Sequence, residues 1–329
     1  MNIGLALQVI ALAALALPTQ WLSVPLVMAA QGLSGIAKDL NKMSAKSSIK
    51  LLLPEKAEGT LFKWVALLTG SKNALKGVGF FLGGLLLAWL GFAGAIAVMT
   101  LVLGLIWLAS LAVLKQDLGK AKNKPKFRDV FSKSRAINIL SAARLCLFGA
   151  RDVWFVVALP VFLAQTLGWD HWQTGGMLAL WIILYGIVQA LAPGLIGERR
   201  DGRSALLWVA VLSTLPVSMA LGLEAGWSAP VVVVGGLLLF GVVFAINSSL
   251  HSFLIVHYAG RDGVSLDVGF YYMANAMGRL IGTLLSGWMF QLAGQGIDGL
   301  VACLWLSAGF LLSTTLISFW LPARASSAS

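Results

Sequence analysis

The chain consists mostly of apolar stretches of about 20 residues or more, long enough as helix to cross roughly 30 Å of hydrocarbon, with little sequence between them. In lipid every backbone N–H and C=O must be satisfied within the protein, which leaves only helices and closed barrels. Strand-type alternation is absent, which argues against a barrel. Charged residues make up 11% of the chain and hydrophobic ones 59%, whereas an ordinary soluble domain is roughly a quarter charged. The expected fold class is an all-α polytopic membrane protein.

Hydropathy places ten spans, at about residues 2–17, 22–52, 61–90, 94–114, 136–167, 174–194, 204–222, 229–257, 266–291 and 298–320. The first is a span and not a secretory signal, because no Lys or Arg occurs before Lys38 and a signal needs a basic leading region. The net charge of +11 is concentrated in two places. Residues 115–135 hold eight Lys/Arg against two Asp, and residues 38–76 hold eight Lys against three acids. Such charge belongs on the cytoplasmic side of a membrane protein, so nucleic acid is not expected as a partner. Alternate loops carry nearly all the loop Lys/Arg, and the intervening ones carry none. This places a multi-pass chain in a bacterial inner membrane with both termini cytoplasmic. The basic linker at 115–135 separates an N-terminal bundle, 1–114, from a C-terminal bundle, 136–329.

Four spans precede the linker and six follow it. An internal repeat bears on that imbalance, since Lys76, Gly79 and Gly84 recur as Arg279, Gly282 and Gly287, offset by 203 residues. The segment from Gly194 to Leu207, GLIGERRDGRSALL, resembles the signature loop of major-facilitator carriers. Gly194, Glu198, Arg199, Gly202 and Arg203 match it, with one extra residue between Arg199 and Gly202. Its first-half counterpart would fall upstream of Met1. The expectation is therefore a major-facilitator fold of two helical bundles, with about ten spans of twelve and the first two missing, about 65–75 residues if the halves match.

Charges inside spans are costly and point to function. Lys38, Lys42, Lys46 and Lys50 recur every fourth residue, forming one winding stripe, and Lys72 and Lys76 are four apart on the next helix. An ordinary cytoplasmic helix end explains Lys46 and Lys50 equally well. Arg144 and Arg151 are seven apart, within about 20° of one face, and Asp152 adjoins them. One reading is a structural Arg–Asp lock; the other puts Lys38, Lys42, Lys72, Lys76, Arg144, Arg151 and Arg279 around a cavity for an anion with more than one negative charge. Asp39 and Asp152, acids beside these cations, are the candidates for proton coupling. Lone His251 and His257 read as packed or hydrogen-bonded residues, and Trp21, Trp169, Trp172 and Trp227 read as an interfacial belt. Cys146 and Cys303 are far apart in sequence and form neither a disulfide framework nor a metal site. No cofactor is implied, no GxxxxGK[ST] loop supports an ATP-driven pump, and no catalytic set supports an enzyme.

Three runs carry a more specific resemblance: MAAQGLSGIAKDLNKMSAKSSIKLLLPE from Met28, LFKWVALLTGSKNALKGVGFFLGGLLL from Leu61, and GARDVWFVVALPVFL from Gly149. They resemble the organoarsenical efflux permeases of the ArsJ type over essentially the whole chain. The resemblance implies export of 1-arseno-3-phosphoglycerate, supplied by glyceraldehyde-3-phosphate dehydrogenase as a functional partner, and hence arsenate resistance. A pentavalent oxyanion asks for Lys and Arg, whereas trivalent arsenic asks for clustered thiolates. A carrier for phosphoglycerate or another phosphorylated metabolite remains a same-fold alternative, and a non-transporting receptor or membrane enzyme one of a different class.

The loop charges make a direct prediction about sidedness. With Cys146 and Cys303 replaced by Ser, a membrane-impermeant maleimide should label Lys120→Cys only from the cytoplasmic face and Ser228→Cys only from the outer face. The reverse pattern would invert the topology.

Overall fold

The computed structural model describes residues 2–52, 58–113, 134–197, 200–259 and 264–322. Most of the basic linker, Glu198, Arg199 and the loop at 260–263 lie outside the described residues. Ten helices run in order: α1 Asn2–Leu15, α2 Val24–Leu52, α3 Glu58–Val113, α4 Arg135–Phe155, α5 Ala158–Gln165, α6 His171–Ile196, α7 Gly202–Glu224, α8 Ala229–Tyr258, α9 Val264–Leu292 and α10 Gly296–Ser318. The described residues contain no strand. Six stretches among them are long and apolar enough to cross a membrane: Trp89–Ala112, Arg135–Gln165, Trp172–Ile196, Gly202–Glu224, Ala229–Tyr258 and Gly296–Ser318. Large apolar side chains also cover the outside, with Leu101, Leu239, Leu284 and Leu316 each at least 60% exposed. A surface so apolar suits lipid rather than water.

The spans expected at 61–90 and 94–114 are the two helical arms of α3, interrupted at Gly91, whose backbone is not helical and has a φ of 65°. Only glycine enters that region without strain. The span expected at 136–167 instead breaks into α4 and α5. Pro160 explains the break, because its ring clashes with the carbonyl four residues back and removes a donor. The amide freed at Ala158 donates to Ser286 Oγ on α9 at 3.1 Å. Pro193 inside α6 likewise cannot bond the Gln189 carbonyl, which accepts from Ser249 Oγ on α8 at 3.2 Å. At each site a serine hydroxyl on a neighbouring helix completes the pairing that a bilayer interior demands.

The helices sort into two compact units, one with residues 2–52 and 78–113, the other with 58–77 and 134–322. In the first, α1 packs on α2, with Gly4 against Asn41 and Gln8 Nε2 donating to Ser34 Oγ at 2.8 Å. In the second, the core gathers Leu147, Trp154, Phe162, Phe240 and Phe244. Small residues permit two close crossings there. Gly70 and Ala74 of α3 meet Gly186 and Ala190 of α6. Gly278 and Gly282 of α9 meet Leu145 and Gly149 of α4, and a Cβ on Gly282 would sit 2.6 Å from the Gly149 carbonyl oxygen. This is small-residue packing of the kind that holds membrane helices together.

Because neither glycine can accept a side chain without moving the α4 backbone, Gly278→Val and Gly282→Val should each remove most folded protein. The overpacking cost is about 1–3 kcal/mol or more. Gly235, where a Cβ meets no described atom within 4 Å, is the control. Gly235→Ala should leave the yield and thermal midpoint in detergent unchanged.

Candidate functional site

Polar chemistry inside the second unit is concentrated where α4, α8 and α9 meet. Asp152 on α4 is fully buried, and both its oxygens are occupied. Arg151 donates through Nε to Oδ1 at 2.6 Å, with its Nη2 on the same oxygen. Arg279 of α9 donates through Nε to Oδ2 at 2.8 Å. The Arg151 side chain is 13% exposed and that of Arg279 is 48% exposed. One carboxylate thus holds two guanidinium groups by their Nε edges. The glycine crossing is what brings Arg279 within reach, since a Cβ on Gly282 would lie 3.2 Å from Asp152 Cβ.

About two helical turns back along α4, Arg144 is buried. Its Nε donates to Asn275 Oδ1 of α9 at 3.0 Å, and its Nη1 to the Ser248 carbonyl of α8 at 3.3 Å. No carboxylate pairs with it among the described residues. Phe148 lies between the two α4 arginines, its ring centroid 3.9 Å from the Arg144 guanidinium carbon and 4.8 Å from that of Arg151. Phe244 and Tyr271 flank them at 5.3 Å and 5.1 Å respectively. Aromatic faces of this kind favour a desolvated cation without neutralising it.

The other expected residues fall elsewhere. Lys72 and Lys76 belong to the second unit and are exposed on the first part of α3. Lys38, Lys42 and Asp39 belong to the first unit. There Asp39 accepts from Lys42 Nζ along α2, with the two side chains 50% and 29% exposed, and Lys38 is exposed. In the signature loop, Gly194 ends α6 on the surface and Arg203 is exposed at the start of α7. Glu198 and Arg199 lie outside the described residues. Gly202 is buried, its N–H donating to the Pro322 carbonyl at 3.1 Å with Leu321 too close for any Cβ.

The sequence reading passed over two neighbours in this loop. Asp201 caps α7 by accepting from the Ser204 N–H at 3.0 Å, and Arg200 donates to the Gly197 carbonyl at 2.8 Å. It also missed Asn275 and Ser248, polar partners that no spacing rule links to Arg144 across 131 and 104 positions. An aspartate directly before a helix that opens Gly-Arg-Ser is a capping signal in its own right.

Residues 1–282 match the family model described as Major Facilitator Superfamily. Several solved structures share the fold. The human organic anion transporter MFSD10 (TETRAN) is 20% identical with a TM-score of 0.74, over 96% of this chain and 76% of that one. A bacterial homologue of the iron transporter ferroportin, in an outward-facing state, is 17% identical with a TM-score of 0.69, over 96% and 81%. The Escherichia coli fucose:proton symporter FucP is 12% identical with a TM-score of 0.72, over 99% and 83%. At these identities the likeness speaks to the fold alone. No curated protein matches the chain.

The double clasp on Asp152 predicts an asymmetry between its members. Asp152→Asn removes the negative charge and one of the two acceptor oxygens that the guanidinium groups share, costing about 3–5 kcal/mol as broken buried pairs do. Arg279→Gln leaves Arg151 paired and should cost less. In thermal unfolding in detergent, adding Arg279→Gln to Asp152→Asn should recover part of the loss. Equal and additive single effects would mean that the three side chains do not act together.

Proposed function

The chain belongs to the major facilitator superfamily, and from that premise we propose that this multi-pass transporter exports an anionic organoarsenical, 1-arseno-3-phosphoglycerate. The observation that carries the anion reading is Arg144, a guanidinium buried in a helical bundle with no carboxylate partner among the described residues. A buried unpaired charge costs several kcal/mol, a cost that an incoming anion offsets. Arg151 and Arg279 add two positive charges against the single negative charge of Asp152. Arginine suits the role because its fork meets a tetrahedral oxyanion through two hydrogen bonds at once. Lys38, Lys42, Lys72 and Lys76 remain assigned to the substrate path by the lysine-rich runs Met28–Glu55 and Leu61–Leu87.

The arsenical assignment rests on those runs and on Gly149–Leu163, which resemble the organoarsenical permeases. Glyceraldehyde-3-phosphate dehydrogenase is the proposed source of substrate. The carrier would work as a proton antiporter in the inner membrane, with Asp39 and Asp152 as the candidate proton carriers. Of the two, Asp39 has the simpler surroundings, a single lysine and a half-exposed side chain. Protonating Asp152 would deprive two arginines of their acceptor.

Everted vesicles loaded with the full chain should accumulate the arsenylated product made by the dehydrogenase, and collapsing the proton gradient should stop it. Arg144→Gln should raise the half-saturation concentration about 10- to 100-fold, the weight of one lost charge-assisted contact. Equal uptake of 3-phosphoglycerate would move the substrate to phosphorylated carboxylates generally. Uptake of neither compound would sink the anion-carrier reading.

A further inference from the structure

Arg144 has neighbours that the cation pattern does not account for. His251, Ser252 and Tyr271 are all fully buried. Neither ring nitrogen of His251 finds a hydrogen-bond partner among the described residues, and Ser252 Oγ and the Tyr271 hydroxyl have none there beyond each other. Buried polar atoms are nearly always paired, and a wholly unpaired imidazole beside an under-satisfied hydroxyl pair is exceptional. The neighbourhood is shared with the arginine. His251 and Ser252 lie one turn along α8 from Ser248, whose carbonyl takes Arg144 Nη1. Tyr271 lies one turn along α9 from Asn275, which takes Arg144 Nε. The Tyr271 ring is 5.1 Å from the guanidinium carbon, its hydroxyl faces Ser252, and His251 lies within range of the Arg144 charge.

A guanidinium offers five N–H donors. Protein acceptors take one on Nε and one on Nη1 of Arg144, which leaves three. The groups around it include the facing hydroxyls of Ser252 and Tyr271, which keep one O–H to give, and an imidazole that donates from one nitrogen. From the remaining elements Phe148 of α4 covers one guanidinium face, and Gln189 of α6 donates to Ser248 Oγ at 3.1 Å. No described acid forms an ion pair with Arg144. Unused donors around an unneutralised cation suit a ligand that only accepts and carries negative charge.

We propose that Arg144, His251, Ser252 and Tyr271 form a binding site for one tetrahedral oxyanion group, phosphoryl or arsono, set apart from the Arg151–Asp152–Arg279 cluster. Arg144 supplies the charge, the hydroxyls and the imidazole N–H complete the donor shell, and Asn275 and the Ser248 carbonyl hold the guanidinium in place. The site deepens the anion-carrier reading and rests on it for its biological role. It gives a role to a histidine that has no hydrogen-bond partner among the described residues deep in a bundle. It also gives a multiply charged solute two anchoring points, this site for one group and the Arg151–Arg279 forks for another.

The chain has three histidines, so isotope-labelled imidazole signals can be followed in the purified full-length protein, with His251→Gln identifying the relevant one. Inorganic phosphate, inorganic arsenate and 3-phosphoglycerate should each shift the His251 signal saturably, and chloride at equal ionic strength should not. Tyr271→Phe and Ser252→Ala remove one oxygen each from a hydroxyl pair that has no other partner among the described residues. They should leave the fold intact and weaken half-saturation about tenfold, and Arg144→Gln should abolish the shift. A His251 signal unmoved through the millimolar range, or half-saturation unchanged in both hydroxyl variants, overturns the site. Vesicle uptake measured in parallel separates the two claims. Uptake with His251 unmoved leaves the carrier reading and removes this site, whereas a saturable shift without uptake does the opposite. Neither response removes both.

Discussion

Asp152 is buried on α4 with each of its oxygens committed to an arginine, one from its own helix and one from α9. Such a group is tolerable in a membrane bundle only while its charge is matched nearby. The match requires α9 to approach α4 almost backbone to backbone, which Gly278 and Gly282 allow. The glycines and the ion cluster are therefore one arrangement: the crossing brings Arg279 to the acid, and the acid gives the crossing a polar centre. Where it stands along α4 also sets where Phe148 and Arg144 stand, four and eight positions earlier.

The same constraint governs the backbone. A proline in a water-facing helix frees a carbonyl or amide that solvent can bond, whereas in hydrocarbon another helix must do it. Pro160 and Pro193 each free such a group, and Ser286 and Ser249 each take it up. These serines tie α9 to the α4–α5 break and α8 to α6, so the irregular points of the bundle become points of helix contact. The helices that supply the serines are also the ones that present Asn275, Tyr271, Ser248 and His251 toward Arg144.

Charge in this unit is held in two different ways. Arg151 and Arg279 share a carboxylate, while among the described residues Arg144 meets neutral acceptors and aromatic faces. A charge–charge pair fixes geometry and lowers the local net charge. A guanidinium held by an amide and a carbonyl keeps its full charge and several donors for a partner.

Much of this protein was legible without coordinates. The cost of polar backbone in hydrocarbon dictates helices, and runs of apolar residues mark where they lie, so the spans at 174–194, 204–222, 229–257 and 298–320 lie within α6, α7, α8 and α10 to within a few residues. The bend at Gly91 was legible too, as the short gap between two apolar runs. What spacing alone left open was which charges meet. A seven-residue interval puts Arg144 and Arg151 on one face of α4, yet one is paired with a carboxylate and the other is not. Their partners come from α8 and α9, more than 100 positions away, and helical periodicity carries no information across that distance. The depth at which two helices touch, set by which small residues face each other, decided which side chains share a neighbourhood. Periodicity assigns a residue to a face, and only the packing of one helix on another assigns it a partner.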